Sequence, residues 1–112
     1  MPVADTSHGT SGVAERYASS LFELALEAGV IEAVGADLDK FQAMLDDSDD
    51  LKRLVASPVF SSEDQSKAIS AISAKAGISG LAANFLKVVA GNRRLFAVPG
   101  MIASYRTTAA AH

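Results

Sequence analysis

The sequence predicts an all-α fold, a single six-helix bundle, and three observations carry that reading. Alanine, leucine and charged residues recur at three- and four-residue steps, and β-branched residues nowhere alternate with polar ones over a useful length. The periodic segments are also punctuated by helix start and stop residues. At 112 residues the chain is expected to be one domain, long enough to bury about two thirds of its unfolded surface and to fold without disulfides or metal.

The first helix is expected over about Val13–Ala28, opened by Ser11-Gly12 and stopped by Gly29 in a left-handed conformation. Residues 1–12, MPVADTSHGTSG, read as a flexible polar tail ahead of it. The second helix, about Ile31–Asp46, sets Ile31, Val34, Leu38, Phe41 and Leu45 at alternating three- and four-residue steps, one narrow apolar seam facing a core. DDSDD, Asp46–Asp50, lacks the spaced oxygen ligands, central glycine and closing glutamate of a calcium loop. It is better explained as the start of a short third helix capped by Asp47 or Ser48 and carrying Leu51, Leu54 and Val55, with carboxylates favoured at the positive helix end.

Ser57-Pro58 ends that helix, because proline drives the preceding residue out of helical conformation. Ser62 and Gln65 have capping-box spacing and open a fourth helix through Ala68, Ile69, Ile72 and Ala76 to a stop at Gly77. Ser79 can cap a fifth, from Leu81 to about Arg93. Val98-Pro99 opens a sixth carrying Met101, Ile102 and Tyr105, the bundle being expected over 13–106 and residues 107–112 as a frayed tail.

Composition excludes several function classes. Without cysteine there is no disulfide, thiolate catalysis or usual structural zinc site. A net charge of −3 and a pI near 5.2 argue against nucleic acid, which demands a concentrated basic surface. No apolar run approaches the roughly 18 residues of a membrane span, and the N-terminus lacks the apolar segment of a signal peptide. His8 and His112 lie in opposite terminal segments, no base is spaced to activate a serine, and no glycine-rich phosphate loop is present. No catalytic residue, metal or cofactor is expected, and binding is the better class.

The fifth helix is apolar over close to half its circumference. At about 100° per residue, Ala82, Phe85, Leu86 and Val89 form one flank, while Leu81, Val88 and Leu95 lie toward another beside Asn84 and Gly91. The first helix is built alike: Ala14, Ala18, Leu21 and Ala25 on one flank, Val13, Tyr17, Ser20 and Leu24 on the next. Small Ser20 would let another backbone approach, and Tyr17 offers a ring plus a hydroxyl. If the two second stripes lie side by side they make a groove for an amphipathic helix. If instead both helices are central in the bundle, they bury these faces internally.

VAERYASSLFELALEAG near the start, Ser57-Pro58 in the middle and NFLKVVAGNRRLFAVPGMIASY near the end resemble the N-terminal domain of the δ subunit of bacterial F-type ATP synthases, whose mitochondrial counterpart is the oligomycin-sensitivity-conferring protein. The resemblance covers about Val13 to Tyr105. It implies a non-catalytic six-helix bundle in the stator, peripheral on the cytoplasmic face of the inner membrane, with no direct insertion into it. The groove between first and fifth helices would receive the N-terminal helix of an α subunit and so link the catalytic head to the peripheral stalk. Carried onto this sequence, the groove residues are Tyr17, Ser20, Asn84 and Val88; the helical wheel adds Val13, Leu24, Leu81 and Gly91. Family members continue into a second domain that contacts the b subunits of the stalk. That domain is expected to be absent here, since the sequence stops soon after Tyr105, and the bundle alone is expected to be monomeric. A generic helical adaptor for another amphipathic helix shares the groove but predicts no preference for an α subunit.

Overall fold

A computed structural model describes residues 8–57 and 59–112; the expectations for residues 1–7 and for Pro58 lie outside them. Among the described residues there are six α-helices and no strand: α1 His8–Ala28, α2 Ile31–Asp47, α3 Asp49–Ala56, α4 Ser62–Ala76, α5 Gly80–Gly91 and α6 Val98–Ala111, with a 3₁₀ turn, Leu95–Ala97, leading into α6.

Three of the helix stops share one hydrogen-bond pattern. After α1, the N–H groups of Gly29 and Val30 donate to the carbonyls of Leu26 and Ala25 at 3.2 and 2.9 Å; after α4, those of Gly77 and Ile78 donate to Ala74 and Ser73 at 3.4 and 2.8 Å. Both glycines are left-handed, at φ +72° and +77°, which makes each a Schellman stop where the sequence placed one. The stop after α5 keeps the pattern but not the residue. Arg93 and Arg94 donate to Ala90 and Val89 at 3.0 and 2.9 Å, and the left-handed residue is Arg93, at φ 59°, which costs about 1 kcal/mol more than glycine there. The helix expected to reach Arg93 therefore ends at Gly91.

The starts also sort into right and wrong residues. Ser48 caps α3, its Oγ accepting from the Leu51 N–H at 3.1 Å. In α4 the cap is Ser61, whose Oγ accepts from the Asp64 N–H at 3.0 Å, one residue before the expected Ser62. Gln65, expected to close that capping box, is buried and donates to the Phe60 carbonyl at 3.3 Å. Ser79 precedes α5 without a side-chain capping bond.

The expected tails are helical where they are described. α1 already runs from His8, so Ser11 and Gly12 lie inside it; a start signal marks where a helix can begin, and the boundary shifts when flanking residues tolerate the helix. α6 continues past Arg106 to Ala111 because its last turns have tertiary partners. Arg106 pairs with Asp39 of α2 at 2.6 Å, Ala109 packs against the core, and the His112 ring meets Phe22 edge-on at 5.5 Å.

α1 packs chiefly on α6 and α4 on α5. Gly100 permits the first contact: a Cβ there would stand 3.2 Å from Ala14 Cβ. α2 closes on α6 through Tyr105, which is buried, donates its hydroxyl to the Ile31 carbonyl at 2.7 Å and meets Phe22 edge-on at 5.9 Å. The expected α2 seam is inside, with Val34, Leu38, Phe41 and Leu45 buried. So is the first flank of α1, Ala14, Ala18, Leu21 and Ala25. Leu95, expected on the second stripe of α5, is buried instead, because the chain turns at Arg93 and the helical wheel no longer applies. The radius of gyration, 13.6 Å, is that of one globule of this length, about 13 Å.

Candidate functional site

α1 and α5 do not close on each other. Between them runs an open groove of about 440 Å³, lined by Arg16, Tyr17, Ser20, Leu21 and Leu24 from α1, Leu81, Asn84, Phe85 and Val88 from α5, and Asn92 just past its end. Leu21 is buried and forms part of the floor, whereas Leu24 is 51% and Val88 56% exposed. What matters is that these side chains adjoin across the groove, since a contiguous apolar concavity with polar edges marks a binding surface.

One end of the groove is polar and braced. The Asn92 amide Nδ2 donates to the Tyr17 hydroxyl oxygen at 3.0 Å, and the Tyr17 ring meets Phe85 edge-on with centroids 6.4 Å apart. That pair of contacts holds the middle of α1 to α5 and the residue just past its end, and fixes the groove's width there. Among the described residues Arg16 is the only charged side chain in the lining. Two larger clefts, of about 490 and 550 Å³, each carry carboxylates: Asp47 and Asp50 in one, Glu32 and Asp39 in the other. Among the described residues the α1–α5 groove carries none.

The structure brings together six of the residues singled out from sequence: Tyr17, Ser20, Leu24, Leu81, Asn84 and Val88. Val13 and Gly91 are not among the lining. Val13 is half-buried on α1, a turn before Tyr17. Gly91 looks elsewhere: a Cβ on it would meet Ser66 Oγ at 3.6 Å, so it faces α4. Sequence reasoning missed Arg16, Leu21, Phe85 and Asn92. Phe85 was assigned wholly to the core flank, but it is only half-buried and serves both sides. Arg16 precedes Tyr17 and bounds the stripe, a position the wheel could have supplied. Asn92 was also within reach of the wheel, which at about 100° per residue sets it about 20° from Leu81.

Among the described residues, no three of His, Cys, Asp and Glu gather to hold a metal ion, and no helix is long and apolar enough to cross a membrane. Burial raises the Tyr105 hydroxyl above its ordinary pKa of 10.0; the residue borders the cleft that holds Glu32 and Asp39, and its hydroxyl is engaged in the α2–α6 contact through the Ile31 carbonyl.

Against this geometry, similarity to known proteins is informative. The family model described as ATP synthase delta (OSCP) subunit matches residues 13–112. The chain is 82% identical over 112 residues to the ATP synthase subunit delta of Agrobacterium fabrum. It is 77% identical to that of Rhizobium johnstonii and 70% to that of Rhizobium meliloti. In each case all of this chain is covered and 60% of the relative, so the chain spans about three fifths of the length of the relatives it matches. An all-helical bundle, matched almost end to end by the family model and at this identity by relatives of one name, leads to one assignment: the chain belongs to the ATP synthase delta (OSCP) subunit family.

Proposed function

We propose that this bundle is the stator end of an F-type ATP synthase, non-catalytic, and that it receives the N-terminal helix of an α subunit in the groove between α1 and α5. In doing so it would tie the catalytic head to the peripheral stalk. The observation that supports this best is the uncovered apolar stripe formed by Leu24 and Val88, 51% and 56% exposed, over a floor that includes buried Leu21. An amphipathic helix laid there would finish the burial that the bundle leaves undone. Full burial of a leucine or valine side chain is worth about 1.5–3 kcal/mol, so completing half of it yields about 1 kcal/mol for each of the two, before the partner's own anchors are counted.

A stator contact must persist while torque is applied, and slow release is set by buried, well-packed contacts rather than by fast encounter. An apolar groove meets that requirement without chemistry. Contact with the b subunits belongs, in this reading, to the stretch of the relatives that the chain does not cover. The site is peripheral, on the cytoplasmic face of the inner membrane.

The test is a calorimetric titration of the chain with a synthetic peptide of the α-subunit N-terminal segment, alongside Val88→Asp and Ser20→Trp. One-to-one binding with a negative heat-capacity change, lost in both variants while their helical circular dichroism persists, is the expected result. A folded wild type that does not bind the peptide refutes the reading. Equal affinity for an unrelated amphipathic helix replaces it with a generic adaptor.

A further inference from the structure

We infer that the groove is read directionally: Arg16, with the Tyr17 hydroxyl beside it, receives a carboxylate carried at one end of the partner helix's apolar ridge. This rests on the groove being the helix site and adds what the partner must look like and which way it must lie.

Three observations support it. Among the described residues Arg16 is the sole charged one in a lining otherwise apolar or neutral, and no carboxylate of theirs lies within ion-pair distance of it; Lys75, Lys87 and Arg94 share that state but lie outside the lining, whereas Lys40, Lys52, Arg53, Lys67 and Arg106 each have an acidic partner. Beside it, Tyr17 accepts from Asn92 through its hydroxyl oxygen, so its own O–H is oriented by that bond and left to donate. A guanidinium and a hydroxyl proton at one groove end form a donor set matched to carboxylate oxygens. Glu27, finally, follows Leu24 by one helical turn and is exposed on the same side of α1. The groove is thus basic at its Tyr17–Asn92 end and acidic beyond Leu24. A helix turned end for end would set its carboxylate beside Glu27, where like charges repel, so the charge pattern discriminates orientation as well as partner.

From Leu81 to Asn92 the lining covers about three turns, roughly 16 Å of helix. The fitting partner is an amphipathic segment of that length with apolar residues at three- and four-residue steps and an aspartate or glutamate one turn beyond the last of them.

The test uses the same α-subunit peptide with each of its acidic residues replaced in turn by glutamine and by lysine, titrated against wild type, Arg16→Ala and Arg16→Glu. Arg16→Ala is expected to weaken binding about three- to tenfold and to flatten its salt dependence, and Arg16→Glu to weaken it more than tenfold. One lysine-substituted peptide should bind Arg16→Glu better than it binds wild type. If both Arg16 variants bind as wild type does while Val88→Asp does not, the directional reading is wrong and the groove stands. If Arg16→Glu weakens binding but no peptide restores it, Arg16 acts without a carboxylate partner and the inference is overturned. If wild type binds no peptide, the groove reading itself fails and this one with it.

Discussion

Replacing Gly91 by alanine separates the helical-wheel reading of the groove from the packed one. By sequence Gly91 sits beside Asn84 and Val88 and would let a partner helix approach, so a methyl group there should obstruct binding. In the structure Gly91 is helical, does not have positive φ, and a Cβ on it would rest at ordinary contact distance, 3.6 Å, from Ser66 Oγ of α4. The substitution therefore meets no clash and removes the backbone freedom that glycine retains in the unfolded chain. Alanine exceeds glycine by about 0.8–1.0 kcal/mol in a helix interior, and less in a final turn, which gives an expected gain of about 0.5–1 kcal/mol. For a domain of this size that is a rise of about 2–5 °C in Tm. Urea unfolding followed by circular dichroism measures the gain, and peptide titration measures the groove. Stabilisation with unchanged affinity is expected. Loss of stability would show that the α4 side cannot take the methyl group, and loss of affinity in a variant that stays folded would show that Gly91 faces the partner; either result would mean that the placement of α5 is wrong.

Two further perturbations test the fold. Ser61→Ala should cost about 1 kcal/mol by removing the oxygen that accepts from the Asp64 N–H, whereas Ser62→Ala should stay within about 0.5 kcal/mol; equal losses in urea unfolding would place the cap differently. Tyr105→Phe removes the bond to the Ile31 carbonyl and should cost about 1 kcal/mol near neutral pH. Burial raises the folded-state pKa of this hydroxyl above 10.0. At pH above that value the native state therefore holds more protons than the unfolded one, and stability falls as pH climbs past it. The phenylalanine variant should lose that part of the alkaline decline, seen as a smaller drop in urea midpoint between about pH 9 and 11; an unchanged decline would dissociate it from Tyr105.

Local signals determined the elements, because each is decided within a few residues of itself. Gly29 and Gly77 stop their helices through a left-handed φ that few other residues accept, and Ser48 caps α3 with an oxygen three residues from its donor. The apolar seam of α2 and the first flank of α1 were legible for the same reason: periodicity within one helix states which residues share a face. Where the local code was ambiguous it failed locally, choosing Ser62 over Ser61 and running α5 on to Arg93, since a left-handed arginine has no sequence signature.

Tertiary structure alone decided what each face meets. A wheel gives the angle of Gly91 relative to Val88 but not the rotation of α5 in the bundle, and it is α4, through Ser66, that takes up the Gly91 side. That same rotation brings Phe85 against Tyr17 and carries Asn92 to the Tyr17 hydroxyl, contacts between residues far apart in the chain. Whether α1 and α5 would be central or would leave a groove was open from sequence, because both arrangements bury the same first flanks. The packing of α1 on α6 and of α4 on α5 draws the two helices toward different neighbours, and the space left between them is the groove.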